Sequence, residues 1–599
     1  MTLTKHWRYD ENEDLVVNQL KGLLASNPYI KLIPSEKVVF NPHSNTQNKI
    51  TLISGGGAGH EPLHGGYVGE NLLDAAVSGS IFASPSTKQI MAAIRTKSNK
   101  EKGTLIIVKN YTGDVLHFGL TAERAKNEGY KIEIVFVSDD VAVGREQNKM
   151  VGRRGLAGTA LIHKILGAAV LDPKVELKHV ADFGNVVNEN MVTLAASLDR
   201  TSVPGKAEVE VEFNDTDEAE LGLGIHNEPG TKMKPIPNID DLVKKMLHQL
   251  ISPEDEQRNY VNFNSNDDYL LVINNIGGTS TFELNLITEH VLKNLPFKNK
   301  PKRVLVSDFV TSFNSPGFSI TLLNLSNIDE QNGPYNQKDI LQFLDTPTNA
   351  PAWKPKVYDS ELWENSNDST RLVETPMKDQ PTLKSDLRID PDKFRNNLVN
   401  ALKNLLKEES NITHYDTIVG DGDCGETLAS GANSILRALK DEKKFINNLD
   451  DPVASLSTIT HLVEESMGGT SGGLYSIFLT SLVQNLQNSK MVDNKTISEA
   501  LHRALHNGLF KYTKARVGGR TLVDTLQPFV DTYYETNDLQ KAVEAARNGC
   551  ESTKKLHASF GRASYVNEED FKVEGGIPDP GAVGLLALIE GFFANFQSL

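Results

Sequence analysis

Across the first half of the chain, short runs of β-branched and aliphatic residues alternate with segments whose apolar positions recur every three to four residues. Residues 50–54, 104–109, 132–137, 269–274 and 303–309 are the clearest of these runs. That alternation predicts an α/β domain. From about 344 to 384 the periodicity fails, because Pro347, Pro351, Pro355, Pro376 and Pro381 interrupt a polar stretch that cannot continue either element. The stretch reads as an interdomain linker, and with Trp353 and Trp363 inside it, one that packs along a domain surface.

Beyond the linker only the helical period persists. Asp390 followed by Pro391 reads as an N-cap and first helical residue, and Phe394, Leu398, Ala401, Leu402 and Leu405 then share one face. The same period returns over 453–466, 473–487, 496–510, 521–535 and 539–549, with no strand pattern between. The expected organisation is an α/β domain over 1–345, a linker over 346–385 and an all-helical domain over 386–599. A chain of 599 residues requires such a division, since single cores stop growing near ~250–300 residues.

Composition removes several classes of function. A net charge of −16 without a compensating basic run disfavours nucleic acid and anionic membrane as partners. No run of about 18 apolar residues predicts a membrane span. The first ten residues are polar, the final Gln597-Ser598-Leu599 is a poor peroxisomal address, and Cys424 and Cys550 are the only cysteines. A cytoplasmic protein acting on small molecules is expected.

Three elements of the first domain carry candidate chemistry. Ser54-Gly55-Gly56-Gly57-Ala58-Gly59-His60-Glu61-Pro62 follows a strand pattern, where an open α/β sheet forms its ligand crevice, and its glycines let backbone approach a small polar ligand. The spacing is neither that of a dinucleotide fold nor that of a P-loop. Lys109-Asn110-Tyr111-Thr112-Gly113-Asp114 brings a lysine and a carboxylate to a second strand end, where Asp114 could equally be a turn cap. The segment 221–230 holds His226 between a glycine pair and a turn, and a lone loop histidine is more often structural than catalytic. In the second domain, Asp416, Asp421 and Asp423 cluster hard oxygen ligands suited to Mg²⁺, without the spacing of a calcium loop. Met467-Gly468-Gly469-Thr470-Ser471-Gly472-Gly473 opens a helix whose free N–H groups favour a phosphate.

Together these motifs resemble the dihydroxyacetone kinase family, over nearly the whole chain. Further matches are Arg516-Val517-Gly518-Gly519-Arg520-Thr521, Gly561-Arg562-Ala563-Ser564-Tyr565 and Asp579-Pro580-Gly581-Ala582. The resemblance implies an α/β substrate domain of two α/β subdomains and an all-α barrel of antiparallel helices that binds ATP. It implies that His226 attacks a ketone carbonyl and holds the substrate as a hemiaminal, and that Asp114 is the general base. His60 and Lys109 would orient the substrate oxygens, beside Gly57, Ala58 and Gly59. A neutral imidazole adds to a ketone and not to an alcohol, so glycerol would be rejected on reactivity. On the donor side the resemblance implies two Mg²⁺ on Asp416, Asp421 and Asp423, and nucleotide contacts from Cys424, Gly425, Glu426, Thr427, Thr470, Ser471, Arg562, Asp579, Pro580 and Gly581. A homodimer through the substrate domains is implied as well.

The chain departs from the family's common pattern at three positions. Asn227 replaces a frequent glycine and can take a left-handed turn. Cys424 stands where many bacterial relatives have histidine and reads as a packing residue, and Gly519 replaces a common aspartate. Fusion of both domains in one chain resembles the branch that consumes free ATP, with D-glyceraldehyde as an open second substrate. Two alternatives stay open: an FAD-AMP lyase forming cyclic FMN in the nucleotide domain, and a non-catalytic ketose sensor. The sensor is expected to lose the metal carboxylates, which are present here.

Overall fold

The computed structural model describes residues 6–10, 12–204, 217–331, 333–365, 371–373, 383–440, 449–556 and 576–594. The chain divides into two compact units, residues 1–373 and 374–599.

The first unit contains two six-stranded sheets. The first has strands β1 (Lys31–Ile33), β2 (Val38–Phe40), β3 (Thr51–Ala58), β4 (Ala75–Ile81), β5 (Thr104–Lys109) and β6 (Ile132–Val137), in the order β1-β2-β4-β3-β5-β6. Its strands β4, β3, β5 and β6 are parallel to one another. The second has β7 (Met191–Ser197), β8 (Ala219–Leu221), β9 (Thr231–Met233), β10 (Tyr269–Asn275), β11 (Arg303–Ser307) and β12 (Gly317–Asn324), in the order β11-β10-β12-β7-β8-β9. Only the β10–β11 pair is parallel there. The Gly158–Ala169 helix packs against β5, β6 and β7, and every one of its residues is buried. Its sequence, GTALIHKILGAA, is apolar nearly all round, as a helix shared by two sheets must be.

The proline-rich stretch after the Gln337–Asp345 helix begins inside this unit. Trp353 is 1% exposed and packs with Ala350 and Ala352 in the main core, its ring 5.6 Å from that of Phe309. Thr348 Oγ1 donates to the Glu70 carbonyl, and Lys164 Nζ donates to the carbonyls of Phe343 and Thr346. The prolines end regular structure there, yet the segment from 347 to 353 is anchored as firmly as the sheets.

The second unit is largely helical. Its longer helices are Pro391–Val419, Cys424–Lys440, Pro452–Ser466, Gly469–Gln487, Asn494–Arg503, Val523–Thr536, Leu539–Ser552 and Pro580–Phe593. Asp390 caps the first through its side chain, which accepts from the N–H groups of Asp392 and Lys393, with Pro391 at the first helical position. The helices surround an apolar cavity of about 570 Å³ lined by Leu402, Phe478, Leu526 and Phe529 among others. No helix among the described residues is long and apolar enough to cross a membrane.

Candidate active site

Strand β3 runs through the glycines instead of stopping before them, so Gly55, Gly56 and Gly57 are residues of a fully buried strand. A Cβ at Gly55 would lie 2.4 Å from Val77 Cγ1, and one at Gly57 2.7 Å from the Ala83 N, so only glycine permits the approach of β4 and its following turn. The Ala58 side chain faces the apolar core. Gly59 has a φ of +99°, and its N–H donates to Glu61 Oε2. This turn delivers His60 to the second sheet, where its Nδ1 lies 2.9 Å from the Thr311 carbonyl. Facing a carbonyl, Nδ1 carries the hydrogen, which leaves the lone pair on Nε2. That Nε2 is buried without a protein partner, and burial holds His60 well below the ordinary histidine range.

Lys109 ends β5, and Asp114 sits in the first turn of the Thr112–Asn127 helix that follows. Both are buried. Burial pulls the Lys109 ammonium down to about 8 against the attraction of Asp114, and pushes the Asp114 carboxyl up against the attraction of Lys109. Asp114 Oδ1 has no hydrogen-bond partner in the protein.

The loop between β8 and β9 brings in His226. Asn227 has a φ of +64°, the left-handed turn its residue type allows, and its side chain bonds the Thr201 backbone. Glu228 folds back so that Oε2 accepts from the His226 N–H at 2.9 Å and Oε1 lies 2.9 Å from His226 Nδ1. Burial would raise the Glu228 carboxyl, but bonding to His226 and the nearby Arg154 hold it down at about 2. Gly224 makes the arrangement possible, because a Cβ there would lie 2.0 Å from Glu228 Oε2. Arg154 is itself anchored on Asp140 at 2.7 Å. With Nδ1 occupied by the carboxylate, the imidazole turns its Nε2 outward. The ring stands edge-on to His60 and Tyr111, with centroids 4.6 Å away in each case.

His226, Asp114 and Gly57 line one cavity of about 480 Å³, with Phe82, Ser84, Tyr111 and His117. His60 and Lys109 are buried beside it. A nucleophilic nitrogen, an unpartnered carboxylate oxygen and buried polar groups around a small cavity suit covalent capture and proton transfer on a small polar molecule.

In the second unit, Asp416 lies in the last turn of the Pro391–Val419 helix, and Asp421 and Asp423 follow in the turn before the next helix. Carboxylate oxygens of all three lie within 4.8 Å of one another. Asp416 Oδ2 also accepts from the Cys424 N–H at 3.0 Å, which ties the turn to the helix it opens. Gly422 has a φ of +81° in that turn. Gly425, Glu426 and Thr427 occupy the first turn of the Cys424–Lys440 helix, and Thr470 and Ser471 the first turn of the Gly469–Gln487 helix. Burial, with Asp416 and Asp579 nearby, pushes the Cys424 thiol up to about 12, so it is no thiolate at neutral pH. Asp579 caps the Pro580–Phe593 helix by accepting from the Ala582 N–H at 2.8 Å, with Pro580 and Gly581 beginning the helix. Desolvation pushes its carboxyl up to about 7. Asp416, Cys424, Ser471 and Asp579 thus converge. Arg562 and its motif lie outside the described residues.

Comparison with known proteins decides the family. A Dak1 domain model matches residues 21–352 and a DAK2 domain model residues 418–594. The chain is 50% identical to dihydroxyacetone kinase of Komagataella pastoris over 99% of both chains, and 48% identical to that of Pichia angusta over 100% of this chain and 99% of the relative. The chain belongs to the dihydroxyacetone kinase family. A solved dihydroxyacetone kinase from C. freundii in complex with AMP-PNP and Mg²⁺ is 27% identical, with a TM-score of 0.66 over 99% of this chain and 100% of that one. Human triokinase/FMN cyclase is 35% identical over 97% of each chain.

Sequence reasoning singled out His226 but gave no role to Glu228, the residue that orients it in this dihydroxyacetone kinase fold. Spacing alone could have suggested it, since a carboxylate two residues from a turn histidine is within hydrogen-bond reach. Arg520 was placed in a motif but likewise given no role. It is 1% exposed, donates to the carbonyls of Thr553 and Ile577, and its positive charge bears on Asp579. Glu228→Ala is expected to release the tautomer of His226: imidazole ¹⁵N NMR should show an Nδ1–H form in the wild type and a mixture in the variant. A wild-type tautomer that persists in Glu228→Ala would contradict the orienting role.

Proposed function

We propose that this kinase transfers the γ-phosphoryl group of ATP to dihydroxyacetone, with the ketose held covalently on His226. The observation that carries the reading is the shared cavity wall: the outward Nε2 of His226, oriented by Glu228, and the unpartnered Oδ1 of Asp114.

His226 Nε2 donates its lone pair to the C2 carbonyl carbon, a C–N bond forms, and the carbonyl π pair moves to oxygen, which takes up a proton from water. The positive charge that the ring acquires faces the Glu228 carboxylate, which stays ionised and compensates it. The substrate is then fixed in position, and fixing the acceptor removes much of the entropic barrier to transfer. His60, whose free Nε2 is an acceptor, and Lys109, a donor, bind hydroxyl groups from the buried side. Asp114 accepts the proton from the terminal hydroxyl that attacks phosphorus. Burial raises its basicity toward that of a useful base.

On the donor unit, Asp416, Asp421 and Asp423 fit a hard cation, because all their donors are oxygen and two of the three are exposed to incoming phosphate. Two Mg²⁺ would be held there, and their chemistry is to neutralise charge on the phosphates of ATP. Thr470 and Ser471, at a helix N-terminus reached through Gly469 with φ +63°, offer N–H groups to phosphate oxygens. Gly425 to Thr427 and Asp579 to Gly581 bind the rest of the nucleotide, and a cytoplasmic homodimer belongs to the same reading.

A second activity, formation of cyclic FMN, is favoured by the triokinase/FMN cyclase relatives at 35% identity. The relatives at 43–50% are dihydroxyacetone kinases, which makes the kinase reaction the principal reading.

Asp114→Asn keeps shape but cannot accept a proton, so kcat should fall by about 10²–10⁴-fold while ketose capture persists. A variant that folds and keeps more than about a tenth of wild-type turnover would make Asp114 a helix-terminus residue only. Asp421→Ala and Asp423→Ala should each eliminate Mg²⁺-dependent ATP binding in calorimetry. Unchanged ATP affinity in either would refute the metal assignment.

A further inference from the structure

Among the described residues, two groups bring three metal-capable ligand atoms within 4.8 Å of one another. One is the acidic cluster above. The other, His502, His506 and Asp531, has a different donor chemistry and no part in the kinase reaction.

His502 lies near the end of the Asn494–Arg503 helix and His506 in the π-turn Ala504–Gly508 that continues it. Asp531 comes from the middle of the Val523–Thr536 helix. Nε2 of His506 is 2.7 Å from Asp531 Oδ1, and Nε2 of His502 is 4.0 Å from the same oxygen. The two imidazole rings lie 4.2 Å apart at 32°. The carboxylate is oriented from its other side, where Gln527 Nε2 donates to Asp531 Oδ2 at 3.2 Å. The His502 ring is held by stacking on Tyr534 at 4.1 Å and 24°. All three side chains are about one-third exposed: 32%, 30% and 31%.

An ordinary ion pair between the helices accounts for His506 and Asp531 but leaves the second imidazole unexplained. Two protonated rings 4.2 Å apart repel. At 2.7 Å the hydrogen lies between His506 Nε2 and the carboxylate, and a cation entering there displaces it, after which two imidazoles whose Nε2 atoms converge on one carboxylate oxygen offer two nitrogen lone pairs and one anionic oxygen. That set suits a borderline cation and not Mg²⁺, which prefers oxygen. A carboxylate held by a neighbouring amide and a ring held by an aromatic face are the supports a ligand set needs. The π-turn adds weight, since such turns recur at functional sites.

We propose that His502, His506 and Asp531 form a site for a divalent transition metal of the zinc class, with water in the open fourth position. The ion would clamp the Asn494–Arg503 helix and its π-turn to the Val523–Thr536 helix.

The test is calorimetric titration of the full-length, metal-stripped protein with Zn²⁺ in excess Mg²⁺, which keeps the acidic cluster occupied. One equivalent is expected to bind, and His502→Gln combined with His506→Gln should abolish it. Gln527→Leu should weaken it by about tenfold or more. Co²⁺ in the wild-type protein should give visible d–d absorption typical of low coordination, a readout that needs no variant. The same equivalent surviving in the double variant, or no zinc binding and no Co²⁺ bands in the wild type, would overturn the proposal and leave a helix–helix ion pair.

Discussion

The 2.9 Å contact between His226 Nδ1 and Glu228 Oε1 decides what the N-terminal cavity can do. A histidine in a surface turn is free to present either nitrogen, and one whose Nδ1 is held by an ionised carboxylate presents only Nε2. Much of the neighbouring structure serves that orientation. Gly224 leaves room for the carboxylate, Arg154 on Asp140 supplies the positive charge behind it, and Asn227 turns the chain between the two residues. Around this fixed ring, β3 and β5 bring His60, Lys109 and Asp114 to strand ends, where the parallel part of an open sheet places a ligand crevice.

The two units divide the chemistry by charge. The cavity at His226 is small, and the ionisable groups Lys109 and Asp114 are buried beside one another, so their protonation is set by mutual attraction and desolvation. In the acidic cluster of the second unit Asp421 and Asp423 are exposed while Asp416 is anchored by the Cys424 N–H. An anionic cluster of that kind is costly until a cation joins it. The helix N-termini at Gly469 and Pro580 supply the remaining positive potential.

Much of this was legible in the chain before any coordinates. Strands 104–109 and 132–137 appear at the bounds their β-branched runs suggest, since turn residues bracket both. Asp390 and Pro391 begin a helix as their types predict. Strand β3 was less legible, because glycines read as a turn while a close neighbour, Val77, keeps them extended. The three-residue strands β1, β2, β8 and β9 are too short to show a period. Burial of Trp353 could not be read from a proline-rich segment, because it depends on Phe309 and Lys164, distant in sequence. The pairing of His506 with Asp531 and the bonding of Arg520 to the Thr553 and Ile577 carbonyls are likewise properties of tertiary packing, invisible to local pattern.

The central claim is covalent capture of the ketose on His226, and ¹³C NMR of dihydroxyacetone labelled at C2 tests it most directly. With stoichiometric protein and no ATP, the account predicts that the ketone carbonyl resonance is replaced by one in the tetrahedral-carbon region, coupled to the imidazole nitrogen in ¹⁵N-histidine-labelled protein. A bound substrate whose C2 keeps its carbonyl shift, or a tetrahedral carbon without nitrogen coupling, would contradict it.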